Sequence, residues 1–252
     1  MTVLQTDQLT KQFGGLTAVD GVNMAIEQGE AVSLIGPNGA GKSTFINLVT
    51  RRLDPSSGDI SFNGDSIVGM EPHSVVQQGM SKSFQTASVF PELTVEENAR
   101  IAALAAEHGS FRLNFLRHLN SYAAVETLAH DVLRSVDLYD QRDTQAASLD
   151  YGNTRRLELS IALASEPDML LMDEPTAGMS PDETQSTVKL IERVKDELDL
   201  TFLLVEHDME IVFEISDRII VLNRGSVIAS GPPAEVRDDP GVQEAYLGGV
   251  QE

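Results

Sequence analysis

The run Gly36-Pro37-Asn38-Gly39-Ala40-Gly41-Lys42-Ser43 constrains this chain more than any other stretch of it. It fits the pattern GxxxxGK[ST], follows the apolar stretch Ala31 to Ile35, and precedes a segment that reads as a helix over Ser43 to Leu53. That context gives the pattern its meaning. The glycines let backbone N–H groups close around phosphate oxygens, Lys42 can reach β- and γ-phosphates, and Ser43 can hold Mg²⁺, with the positive end of the helix behind them. A strand–loop–helix opening of this kind belongs to α/β architecture, and the rest of the chain continues the alternation, which predicts a largely parallel sheet.

Composition narrows the partners. With 18 basic and 39 acidic side chains the formal charge is −21, about one excess negative charge per twelve residues of the 252, and the sequence pI is near 4.4. Nucleic-acid backbones repel such a surface, because counterion release needs clustered Lys and Arg. Hydrophobic residues at 41% can close a sizeable core as one domain. The absence of cysteine excludes disulfides, Cys metal sites and thiol nucleophiles, and fits a reducing compartment. No basic n-region followed by an apolar h-region opens the chain, and no apolar run approaches the ~18 residues of a spanning helix. A soluble or peripheral protein on the cytoplasmic side is expected. Arginine outnumbers lysine thirteen to five and the acids are spread along the chain. Such a coat suits a salty cytoplasm, where screening removes the self-repulsion.

Strands are predicted at Val22 to Ile26 and Ala31 to Ile35 around a Glu27-Gln28-Gly29 turn, and at Ile60 to Phe62 after a turn over Asp54 to Gly58. Residues 94 to 165 then turn Ala- and Leu-rich at helical spacing. Thr94 with Glu97 makes a capping box, and Tyr122, Val125, Leu128, Val132 and Val136 form one apolar stripe. This reads as a helical subdomain inserted into a single domain of 1–252. Strands return at Met169 to Met172, Phe202 to Val205 and Ile219 to Leu222. A helix from Pro181 is marked by Ser180 and Glu183.

The strand Met169 to Met172 runs into Asp173-Glu174. An unpaired carboxylate at a buried strand end is costly, so a cation nearby is the natural explanation. Asp173 would then bind Mg²⁺ through water, and Glu174 would orient and deprotonate the attacking water. His207 follows the next strand in Glu206-His207-Asp208. Its neutral imidazole could contact a γ-phosphate or the water, although a surface histidine is the simpler reading of that residue alone. His73, His108, His118 and His130 have no metal-like spacing and read as surface residues. Arg155, Arg156 and Glu158 read as a solvated helix face, and the apolar positions of Leu157 to Ala164 as core.

Together these motifs resemble an ATP-binding-cassette ATPase over nearly the whole chain. The resemblance implies a P-loop NTPase core, with a mostly parallel sheet, an N-terminal antiparallel β subdomain and the inserted helices. Phe13 looks like the aromatic that stacks on adenine, with Val19 beside it in the same nucleotide-contacting stretch. Gly36, Pro37, Asn38, Gly39, Ala40, Gly41, Lys42, Ser43 and Thr44 would hold the phosphates. Gln85 resembles the Q-loop glutamine that links Mg²⁺ to the membrane partner. Leu149-Asp150-Tyr151-Gly152 resembles the signature motif, Ser180 to Asp182 falls in the D-loop region, and His207 becomes the switch histidine. ATP and Mg²⁺ are the implied ligands.

A narrower resemblance, to the ATPases of branched-chain amino-acid importers, rests on Phe13 to Val19, on Glu206-His207-Asp208-Met209, and on the tail Asp239-Pro240 to Ala245-Tyr246-Leu247-Gly248. Of that importer's two ATPases the chain is more similar to the longer, through the segment Glu107 to Leu119. Urea and amide importers share much of the pattern. The resemblance implies a second ATPase subunit, identical or related, two membrane permease subunits, an extracytoplasmic solute-binding protein acting indirectly, and a place on the cytoplasmic face of the membrane. One residue departs from the family. Asp150 stands where a small residue, often Ser, is usual, and in the closed family dimer that position faces the γ-phosphate of the opposite subunit. A more slowly hydrolysing composite site is one reading, and an Asp150 turned to solvent is the other. Three rivals fit less well, one of them a nucleotide-regulated binding module without turnover, against which Glu174 argues. A mechanical ATPase acting on DNA or ribosomes would bring a second cassette or basic patches, and a GTPase would bring an NKxD motif.

Overall fold

The computed structural model describes residues 1–83, 89–108 and 118–247, with the side chains of 106–108, 118–122 and 247 left aside. Two sheets organise it. The first takes β1 (Thr2–Phe13), β2 (Leu16–Glu27), β4 (Ser57–Phe62) and β5 (Asp65–Ser66) in the antiparallel order β2-β1-β4-β5. The second contains β3 (Ala31–Ile35), β6 (Met80–Ser83), β7 (Met169–Asp173), β8 (Thr201–Val205), β9 (Arg218–Asn223) and β10 (Ser226–Gly231) in the order β10-β9-β3-β8-β7-β6. All its pairings are parallel except the edge pair of β10 with β9.

The strands β3, β7 and β8 are buried at every residue. They read as unbroken apolar runs because a parallel sheet is covered on both faces. The alternation shows what covers each. Leu170, Met172, Phe202 and Leu204 face a core built with α3 (Val95–His108), α4 (His118–Ser135), α5 (Tyr151–Leu163) and α6 (Pro181–Leu198). Met169, Leu171, Leu203 and Val205 face the N-terminal sheet and α1 (Lys42–Val49), through Leu4, Ile26, Phe45 and Ile60 among others. Each fully buried aliphatic side chain contributes about 1.5–3 kcal/mol, so the two-sided burial fixes the register of the strands whose ends carry the polar residues. Ser33 pairs with Leu204 and Asp173 with Val205, which stops β3, β8 and β7 at one level.

Several boundaries differ from the sequence reading. The helix after the glycine-rich loop ends at Val49 rather than Leu53. There the Thr50 hydroxyl donates to the Ile46 carbonyl (2.7 Å), and Arg51 turns to a left-handed φ of 58°. Ser57 and Gly58, expected in a turn, already belong to β4. The Thr94 capping box forms, with Thr94 N–H donating to Glu97 Oε2 (2.8 Å) and Glu97 N–H to Thr94 Oγ1 (3.1 Å). Of the predicted stripe, Val125, Val132 and Val136 are buried and Leu128 packs against them, while the Tyr122 side chain lies outside the described residues. The helix after the signature begins inside it, at Tyr151. Arg155, Arg156 and Glu158 are half-buried in ion pairs instead of forming a solvated face. His73 is exposed as expected, but His130 is half-buried, with Nε2 3.3 Å from Glu96 Oε1. The side chains of His108 and His118 lie outside the described residues.

Candidate functional site

The polar residues singled out above converge at the carboxyl ends of β3, β7 and β8, where open α/β sheets place their ligands. The loop from Gly36 leaves β3 and delivers α1 with Gly41 at its N-cap. No side chain caps that end, so the first-turn N–H groups have no competing side-chain acceptor. Two glycines are required by geometry. A Cβ on Gly36 (φ 151°) would lie 2.1 Å from the Leu222 carbonyl oxygen, and one on Gly41 (φ 107°) 2.3 Å from that of Ala18. The second contact also brings the β1–β2 hairpin against the loop. Lys42 is buried and donates to the carbonyls of Gly36 (2.5 Å) and Pro37 (3.3 Å). Burial pushes its ammonium below the ordinary lysine pKa, against the opposing pull of Glu174 and Asp173.

Asp173, 8% exposed at the end of β7, takes its counter-charge from Lys82 on β6 at 3.2 Å. The buried carboxylate therefore does have a cation beside it, and that cation is a side chain. With the exposed Ser43 hydroxyl in the first turn of α1, the donor set of hydroxyl and carboxylate oxygens fits the hard-oxygen preference of Mg²⁺. Glu174 follows with a left-handed φ of 52°, which costs a non-glycine residue about 1–3 kcal/mol, and its N–H donates to the Val205 carbonyl (2.8 Å). Its Oε1 lies 2.9 Å from His207 Nε2, and both side chains remain about half exposed. A carboxylate and an imidazole thus meet at the mouth of a cleft of about 240 Å³ between the loops that follow β7 and β8.

The signature segment is built differently. Asp150 is the N-cap of α5. One of its oxygens accepts the Asn153 N–H (2.7 Å) and the other the Asn153 side-chain amide (2.9 Å). The Tyr151 hydroxyl donates to the Ala177 carbonyl (2.7 Å) in the loop after β7, and Arg155 donates to that hydroxyl in turn (2.9 Å). Among the described residues no hydrogen bond or ion pair joins Asp150, Tyr151 or Gly152 to the loop at Gly36 to Thr44.

Comparison with known proteins decides the family. The ABC transporter family model matches residues 19–177, a stretch that contains the glycine-rich loop, the signature and the Asp173-Glu174 strand end. The chain belongs to the ABC transporter ATP-binding cassettes. A second model, described as a branched-chain amino acid ATP-binding cassette transporter, matches residues 226–251. The cassette is 40% identical, over 98% of both chains, to the high-affinity branched-chain amino acid transport ATP-binding protein BraF of Pseudomonas aeruginosa. It is 37% identical, over the same shares, to the protein LivG of Escherichia coli that carries the same description. Among solved structures it resembles an ATP-binding cassette of an ABC transporter in its ADP conformation, with a TM-score of 0.83 and 31% identity over 98% of this chain and 99% of that one. The cassette is accordingly a nucleotide-binding ATPase of α/β P-loop type.

Within the cassette, Phe13 ends β1 as an exposed residue, with the Lys11 ammonium over its ring at 5.2 Å from the centroid. Val19 is fully buried and packs in the core, so its side chain supports the hairpin rather than meeting a ligand. Gln85 lies outside the described residues, as do Gly248 and residues 109–117 of the segment Glu107 to Leu119. Two residues quoted in the sequence motifs were given no role of their own there. The Tyr246 hydroxyl in α9 (Pro240–Leu247) meets the Gly36 backbone; burial raises its pKa and the hydrogen bond opposes the rise. Glu206, beside His207, is a buried carboxylate, and a motif search that stops at the histidine passes over it.

Proposed function

We propose that this cassette is the ATP-hydrolysing subunit of an importer for branched-chain amino acids. The likeness over nearly the full length to BraF and LivG supports the solute class. The juxtaposition of Glu174 and His207 at 2.9 Å, at the strand ends beside the phosphate loop, carries the catalytic reading. Gly36, Pro37, Asn38, Gly39, Ala40, Gly41, Lys42, Ser43 and Thr44 bind the phosphates of ATP, and Phe13 stacks on the base. Ser43 and Asp173, together with Gln85, would hold Mg²⁺, which would supply neutralisation of the charge that develops on the phosphate oxygens. Glu174 accepts the proton of the water whose oxygen attacks the γ-phosphorus, while the bond to the β-phosphate oxygen breaks and ADP leaves. His207, in contact with Glu174, orients that water and the γ-phosphate.

In this reading two cassettes face each other and each ATP lies between one phosphate loop and the partner's Asp150-Tyr151-Gly152 segment. The helices of residues 94–165 move with the two permease subunits on the cytoplasmic face of the membrane, and a solute-binding protein delivers the solute from outside. No helix among the described residues is long and apolar enough to cross a membrane, which fits a peripheral subunit. The test is co-purification with the permease subunits, followed by ATP-dependent uptake of radiolabelled leucine, isoleucine and valine into proteoliposomes. Uptake that is competed by urea or short amides and not by leucine would move the proposal to those importers.

A further inference from the structure

The loops after β7 and β8 carry the proposed base and the switch histidine, and something must hold the two loops in register. Glu206 lies between them. It is 5% exposed, and all three of its hydrogen-bond contacts are accepted ones. Its Oε1 accepts the N–H of Thr176 (3.2 Å) and, over a shorter distance, the Thr176 hydroxyl; its Oε2 accepts the N–H of His207 (2.8 Å). Thr176 is itself buried. Two residues before it stands Glu174 in its left-handed conformation, fixed by its N–H to Val205 and by the Ala177 N–H donating to its carbonyl (3.2 Å). A single side chain thus clamps the loop of the base to the peptide of the switch histidine.

We infer that Glu206 is a positioning residue for hydrolysis: its carboxylate sets the separation of Glu174 and His207 by tying Thr176 to the His207 peptide. A buried carboxylate is an expensive way to fill space, and a valine or leucine would pack there at lower cost if packing were all the site required. Every donor aimed at Glu206 needs an acceptor. Glutamine, nearly identical in volume, offers one oxygen and one NH₂, so whichever way it turns it sets a donor against a donor at Thr176 or at His207. The side chain touches neither the phosphate loop nor Lys42, so nucleotide binding is not its task.

This inference rests on the proposed roles of Glu174 and His207, and the experiment separates the two failures. Steady-state ATPase kinetics, binding of a fluorescent ATP analogue and thermal melting are measured for Glu206→Gln, Thr176→Val, Thr176→Ser and Glu174→Gln, in the assembled transporter. Misplacing the base by a fraction of an ångström is expected to lower kcat about 10- to 100-fold for Glu206→Gln and Thr176→Val. KM and analogue affinity hold, Thr176→Ser regains most of the Thr176→Val loss, and a variant carrying both Glu206→Gln and Thr176→Val loses little more than either single one. Normal kcat in Glu206→Gln, with Glu174→Gln inactive, overturns the positioning role. Equal loss of kcat and of nucleotide affinity, with a fallen Tm, also overturns it, in favour of a purely structural carboxylate. Full turnover in Glu174→Gln overturns the catalytic reading beneath it.

Discussion

The strand-end site and the signature segment contrast in how they spend their polar groups. At the ends of β3, β7 and β8, the glycine-rich loop, Lys42, Asp173, Glu174 and His207 come together from distant parts of the chain, through strands that stop at one level. At the start of α5, Asp150 bonds within its own helix turn and Tyr151 reaches the Ala177 carbonyl in the loop after β7, and neither bonds to the loop at Gly36 to Thr44. The first region gathers candidate residues from three strand ends into one place. The second is a finished helix end with exposed surface and no local chemistry to serve. The difference teaches that the chain carries two unlike halves of a site, which suits an arrangement in which a second copy brings the missing half.

The contrast breaks most visibly at Glu174. Glu174→Gln, nearly unchanged in shape, should cost about 10²–10⁴ in turnover while ATP binding persists, as the loss of a general base does; single-turnover assays with an ATP-binding control measure it, and ordinary turnover would refute the assignment. Next in size is Gly36→Ala. A Cβ 2.1 Å from the Leu222 carbonyl at a φ of 151° forces the loop to shift. Overpacking of this kind costs about 1–3 kcal/mol, so thermal melting should show a lower Tm together with lost binding of an ATP analogue. An unshifted Tm would mean that the loop is softer than its contacts suggest.

The signature half sharpens the comparison through Asp150. Serine caps a helix about as well as aspartate, so Asp150→Ser should leave stability within a few tenths of a kcal/mol. It should raise the ATPase rate of the dimer if the carboxylate slows the composite site, and an unchanged rate leaves Asp150 as a cap only. Smallest is the response to salt. A charge of −21 on 252 residues predicts a Tm that climbs gradually with KCl, whereas a flat melting series would remove the salt-adapted reading of the acidic coat.

Which parts of the structure were legible follows from what each residue type can signal. The strand Ala31–Ile35 could be read to the residue, since a continuous apolar run bounded by Gly29 and Gly36 has few other fates. The helix at Pro181 was equally clear from its capping box, which forms in full. The strand β1 was missed. Its polar residues are interspersed without a clean period of two, and its register slips on both sides of Gln8, a non-glycine residue at a φ of 46°. The early stop of α1 was hidden for a related reason, because Arg51 adopts a left-handed turn that arginine does not advertise. In the site, the glycine-rich loop announced itself by spacing, Asp173 and Glu174 gained their meaning from that loop, and His207 was assigned a role only through the family resemblance. Lys82 and Glu206 could not be singled out, since charged residues are usually exposed and only the folded neighbourhood shows that these two are buried. Val19 shows the opposite case, a nucleotide-contact candidate whose side chain is buried in the core.

The bond from Tyr151 to the Ala177 carbonyl sets a mechanical tolerance. At 2.7 Å it survives a relative slide of less than about 1 Å before it no longer counts as a hydrogen bond. The far face of the same helix is wedged into the core through Leu157 and Leu163. Any displacement of the helical layer beyond that tolerance must therefore drag the turn after β7 along or snap free of it. The Glu174 carboxylate stands three residues before Ala177 in that same turn. A single tyrosine hydroxyl thus sets how far the helical layer can slide before the turn after β7 has to follow or let go.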